Sequence, residues 1–191
     1  MNLIPMYPIL ENAMDHNYAQ AAFNVGSFPQ VKTALEVHEA LRSPAIIEIG
    51  PIALGYLGQA EDMNKASYES KVRGAKNLYA MMQKMQDQFS IPVALHADHM
   101  RDFETIKAVI DAGFTSVMVD GSHLKFADNI ELTREVVKYA HPSGVTVEAE
   151  LGVINGVEDD VFTEISVTPP GKRRLTTLSN KLWKNFAELM S

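Results

Sequence analysis

His96, Asp98 and His99 fall within the four residues His96-Ala97-Asp98-His99, at the end of the apolar run from Ile91 to Leu95. Imidazole is a good zinc ligand, and a carboxylate beside it can orient it or exchange a proton with a substrate. An isolated match of this kind is more often a hydrogen-bonded loop. Three further carboxylates shift the balance: Asp120 closes Val117-Met118-Val119, and Glu148 and Glu150 close the next apolar segment. Carboxylates brought together from successive strands repel one another unless a cation lies among them. The set therefore points to a metal-centred site, whereas any one member alone reads equally as a cap or a helix ion pair. Beyond it, Gly152 to Asp160 forms a glycine-punctuated acidic loop containing Glu158, Asp159 and Asp160. Such a loop can be a flap that delivers a carboxylate as a base, or simply an acidic surface turn.

Alternating strand and helix patterns must position these groups. Ala19 to Val25, Pro44 to Gly50, Ile91 to Asp98, Thr115 to Ser122 and Val145 to Leu151 read as five strands. Between them, Val31, Ala34, Leu35, His38 and Leu41 mark one amphipathic helix. Tyr68 through Phe89 mark a long second helix, Phe103 to Ile110 a third ending at Gly113, and Ala127 to His141 a fourth. In the fifth strand Val145, Val147, Ala149 and Leu151 share one face, and Thr146, Glu148 and Glu150 share the other. Five strands separated by helices imply right-handed βαβ units and a parallel sheet. The polar residues gather at strand C-terminal ends, where barrels and open α/β sheets place their chemistry.

Composition narrows the class. The 191 residues hold 17 Lys and Arg against 24 Asp and Glu, a net charge of -7, with no cysteine. A hydrophobic fraction of 46% suits a globular chain with one substantial core. The lack of cysteine excludes a disulfide scaffold, a thiol nucleophile and a cysteine metal cluster. The acidic balance argues against a nucleic-acid surface. No apolar run approaches bilayer length, and the opening residues lack a basic signal-peptide start, so a cytoplasmic protein is expected.

The motifs Ala22-Phe23-Asn24-Val25, Pro44 to Pro51, Pro92 to His99, Ser116 to Ile130 and Thr146 to Gly152, with the trailing Glu158 to Val161, occur in an order that resembles the class II, metal-dependent ketose-bisphosphate aldolases. The resemblance covers residues 1 to 164. It implies a TIM (β/α)8 barrel of which about five of the eight parallel strands are recognisable, the barrel being incomplete. It also implies zinc-dependent cleavage of fructose or tagatose 1,6-bisphosphate to dihydroxyacetone phosphate and glyceraldehyde 3-phosphate. By that resemblance Asp98 matches the catalytic acid, His99 a ligand of the catalytic zinc, and Asp120 and Glu150 an auxiliary metal site. Glu158 matches the flap glutamate, and His96 matches a supporting histidine. His16, His38 and His141 sit in helices or at their ends, and His123 lies just past the fourth strand, where surface hydrogen bonding is the expected role.

Residues 165 to 191 differ in character, with five basic residues and one acidic, against 12 basic and 23 acidic before them. They read as a divergent basic tail with a short amphipathic helix marked by Leu182, Phe186 and Leu189. No histidine occurs there to match the family's two further zinc histidines. The second reading is accordingly a truncated chain of the same lineage, catalytically impaired, acting through metal binding or association with a full-length partner. Open first and fifth strand edges favour homo-oligomers or edge association.

Overall fold

A computed structural model describes residues 1–152, together with the backbone of 157–158 and 161–162. The basic tail expected over 165–191 lies outside the described residues. Elements follow in the order β1 (Asn2–Leu3), α1 (Tyr7–Asp15), β2 (Ala22–Asn24), α2 (Phe28–Leu41), β3 (Ala45–Ile49), α3 (Pro51–Leu57) and α4 (Tyr68–Met85). After these come β4 (Pro92–Met100), α5 (Phe103–Ala112), β5 (Ser116–Val119), α6 (Phe126–Ala140) and β6 (Thr146–Ala149). A short antiparallel pair, β7 (Val157–Glu158) and β8 (Val161–Phe162), completes them.

Strands β2 to β6 lie side by side in chain order, each parallel to the next, which is the wall of a TIM-type barrel in its incomplete form. Alternation along each strand divides the side chains. Ile47, Leu95, Val117 and Val147 point outward into one buried cluster with Leu35, Leu78, Ile106 and Val136 of the covering helices. The opposite face turns toward the barrel interior, and its polarity grades along the strands. At the N-terminal end Ile46 and Ala94 pack on Met6 and Ile9, so α1 stoppers the barrel floor. The Tyr7 amide donates to Thr146 Oγ1 at 3.1 Å, which ties the same helix to β6. Toward the C-terminal end that face carries Glu48, His96, Asp98, Asp120, Glu148 and Glu150.

Local chemistry sets the helix limits. Asp102 caps α5 by accepting from the Thr105 amide at 2.7 Å, and Gly113 ends it at φ 109, in the left-handed region that favours glycine. Ser67 caps α4 through the Ser70 amide. Helices α3 and α4 touch backbone to backbone: a Cβ on Gly58 would stand 1.7 Å from the Ser70 carbonyl oxygen, and one on Gly74 would stand 1.9 Å from that of Leu54.

Three features differ from the sequence expectation. The first strand of the sheet is only Ala22–Asn24: among the described residues it pairs with β3 alone, and Phe23 is 43% exposed. Phe89 is buried but lies beyond α4, past a 3₁₀ turn over Gln86–Gln88, so a core contact from a loop mimics helical spacing. The opening residues form β1 and α1, and residues before Met63 form α3; their proline and glycine content hides the periodicity, although Pro8 and Pro51 sit within first turns, where proline is tolerated.

Candidate metal-centred active site

Strand β4 supplies the centre of the site by breaking its own alternation. Ala97 pairs with Val117 and Met100 with Val119, so three steps on β4 oppose two on β5. His99 takes up the extra residue with φ 51. A regular strand would send Asp98 and His99 to opposite faces; the bulge lets both reach the barrel mouth. His99 Nδ1 stands 3.5 Å from Asp120 Oδ2. One ligand atom from each of His99, Asp120 and Glu150 lies within 4.8 Å of the others, an imidazole and two carboxylates around one point. That donor set and spacing fit a divalent metal such as zinc.

Asp120 is 2% exposed and fully engaged. Ser122 donates to Oδ1 through its hydroxyl at 2.5 Å and its amide at 3.3 Å, and Arg101 Nε donates to Oδ2 at 2.9 Å. Burial pushes this carboxyl up, yet the Ser122 and Arg101 hydrogen bonds outweigh it and hold the group at about 2. A depressed acid favours folding above its unfolded value near 4, and that contribution fades as the pH falls toward 2.

A second cluster occupies the interior beside the first. His96, 2% exposed, is oriented by Ser116, whose Oγ lies 2.8 Å from Nδ1. Its Nε2 faces Asp98 at 3.8 Å and Glu148 at 3.6 Å. Glu48, in register with His96 across β3 and β4, joins them, and burial followed by the Asp98 charge pushes its carboxyl up. As the pH rises, the unfolded chain releases the Glu48 proton first, so folding stability declines between the unfolded and folded values and stays lower beyond them. Glu48→Gln is therefore expected to raise the melting temperature at pH 7 by a few degrees. The gain should vanish near pH 4, and an equal gain at both pH values would contradict this origin.

Asp98, His99 and Arg101 also line a cavity of about 690 Å³ with Asn24, Lys71 and Tyr56. The structure thus brings His99, Asp120 and Glu150 together and places Asp98 at their edge. Glu158 is in β7, and its side chain lies outside the described residues. Sequence reasoning passed over Glu48, Arg101 and Lys71. Glu48 carried a usable signal, as a single acid within the otherwise apolar Ala45–Ile49; Arg101 and Lys71 carried none, since one basic residue past a strand and one in a helix are commonplace.

A parallel βα wall with an apolar floor and an imidazole–carboxylate cluster at its C-terminal mouth defines a TIM-barrel-type α/β protein with its chemistry at the open end. Residues 4–182 match the family model "Fructose-bisphosphate aldolase class-II", and the chain belongs to that family. It is 40% identical over 165 residues to a fructose-bisphosphate aldolase of Geobacillus stearothermophilus, covering 86% of this chain and 53% of that protein. It is 38% identical over 167 residues to a 6-phospho-5-dehydro-2-deoxy-D-gluconate aldolase of Shouchella clausii, covering 86% and 52%. The crystal structure of the YdjI aldolase from Escherichia coli K12 superposes with a TM-score of 0.65 at 32% identity, over 78% of this chain and 51% of that one. The chain spans about half the length of the curated relatives it matches. Among the described residues no helix is long and apolar enough to cross a membrane.

Proposed function

We propose that this chain carries the metal and proton-transfer groups of a class II aldolase that cleaves a ketose 1,6-bisphosphate, fructose or tagatose, into dihydroxyacetone phosphate and glyceraldehyde 3-phosphate. The observation that carries this reading is the meeting of His99, Asp120 and Glu150 within 4.8 Å, beside Asp98 at the rim of the cavity. His99, Asp120 and Glu150 would hold zinc, which when bound supplies the Lewis acidity that polarises the substrate carbonyl. Asp98 accepts the proton of the C4 hydroxyl as the C3–C4 bond breaks; the bonding pair stays with the dihydroxyacetone phosphate fragment and the other product leaves as an aldehyde. His96, fixed by Ser116, keeps a polar face toward Asp98. Glu158 fits the family position for moving the substrate proton. Lys71 and Arg101 give the cavity the positive charge that a phosphate needs.

The test is aldol cleavage by the purified full chain with one equivalent of zinc, with each bisphosphate assayed separately. Cleavage is expected with zinc, a fall to background after chelation, and recovery on returning zinc. Zinc uptake without cleavage of either sugar would leave a metal-binding protein of aldolase lineage and overturn the lyase reading.

A further inference from the structure

We propose that Arg101 is a tethered cation that competes with the metal for Asp120 and thereby sets the metal affinity of the site. This rests on the metal reading given above. The Asp120 oxygen that faces His99 Nδ1 at 3.5 Å is Oδ2, and the same Oδ2 accepts from Arg101 Nε at 2.9 Å. Ser122 holds the other oxygen through two donors, so the carboxylate cannot turn a fresh oxygen toward His99 without giving up those bonds. A metal shared by His99 and Asp120 must approach the atom that already bears a guanidinium.

Guanidinium stays charged at every pH the fold survives, so it cannot yield by losing its proton. A divalent ion at hydrogen-bonding distance from the same oxygen repels it strongly in a site where Asp120 is 2% exposed. Loading therefore requires the Arg101 side chain to move away. A route exists, because that side chain is 38% exposed and the residue lines the cavity shared with Lys71 and Asp98. Around the register shift between Ala97 and Met100, His99 within β4 and Arg101 just past it both reach the carboxylate of Asp120. In the metal-free chain Arg101 neutralises a buried acid; in the loaded chain the metal takes over that task.

Arg101→Gln, which retains length and polarity without charge, tests this in the full-length chain. Zinc affinity is read by competition with a chromophoric chelator, and melting temperature is read with and without zinc. The variant is expected to bind zinc at least tenfold more tightly, to melt lower than the parent when metal-free, and to gain more on adding zinc. A structural role alone would lower both melting points and leave affinity unchanged or weaker; that result in a folded variant overturns the proposal. Should Arg101→Gln fail to fold, the parent chain labelled with ¹⁵N-arginine gives the second measurement. One arginine Nε–H signal should shift and exchange faster with water on zinc addition, and no change in any arginine signal overturns the proposal equally. Asp120→Asn separates the two ideas. If the parent binds zinc and this variant loses it while Arg101→Gln binds no tighter, only the competition fails; if neither the parent nor Arg101→Gln takes up zinc, the metal reading fails and the competition with it.

Discussion

Asp98→Ala is expected to lower the turnover of a zinc-loaded chain by about 10²–10⁴-fold, the range that one positioned acid or base contributes, while zinc stoichiometry stays unchanged. The separation of effects follows from the bulge at His99. Asp98 lies outside the group of ligand atoms formed by His99, Asp120 and Glu150, but lines the same cavity. On the proposed role of Asp98, as acceptor of the C4 hydroxyl proton, its removal should depress kcat and kcat/KM together. Stability should not suffer, because the charge of Asp98 opposes that of Glu48, and relief of Glu48 offsets the lost contact with His96. Steady-state kinetics, metal analysis and a melting curve on one preparation check all three statements. A loss below tenfold would remove Asp98 from the chemistry, and a loss of zinc would place it among the ligands.

A large loss of stability is expected from Gly74→Ala, in the middle of α4. The added Cβ would stand 1.9 Å from the Leu54 carbonyl oxygen and 2.8 Å from its carbon, both backbone atoms that no rotamer change can move aside. Helix α3 would have to lift from α4. Overfilling a packed contact costs about 1–3 kcal/mol when side chains can adjust, and a backbone clash belongs at or above the upper end. A fall of about 6–12 °C in melting temperature corresponds to ~3 kcal/mol at this length. Because Ile52, Ala53 and Tyr56 of α3 wall the cavity, the same change should weaken substrate binding. Gly50→Ala is the matched control: its Cβ would meet nothing within 4 Å and its φ is -85, so melting should stay within about 2 °C. Equal melting of the two variants would mean that α3 and α4 slide apart freely.

Much of this architecture was legible in the amino-acid pattern. Alternation in Thr146 to Glu150 separated the outward apolar residues from the inward acids, and β6 has that division, with Val147 buried and Glu148 exposed. The metal group was accessible because acids and histidines at the ends of consecutive strands must converge once the strands are parallel neighbours. The relation between Asp98 and His99 was not accessible. A period of two places them on opposite faces, and only the left-handed backbone at His99 brings both to the mouth. Arg101 was hidden for a related reason, since its partner Asp120 lies on the next strand and the pairing depends on where the bulge falls. Helix α1 escaped because a barrel stopper is identified by what it plugs, and its apolar residues show no contrast until the floor of Ile46 and Ala94 is in place.

The stopper also imposes an order on assembly. Asn2 pairs with Pro92 and Leu3 with Val93, and Met6 and Ile9 seat against residues of β3 and β4. Residues 2–9 thus lack a complete docking site until β4 has been made, a delay of about 5–20 s at ordinary synthesis rates. Neighbouring βα units can close on one another as they appear, through contacts of short sequence separation, whereas the pairing of Asn2 and Leu3 with β4 closes a loop of roughly 90 residues and pays that entropy only after the wall stands. A segment made before its own docking site is the natural last step of folding, and it completes the barrel floor after the wall has nucleated.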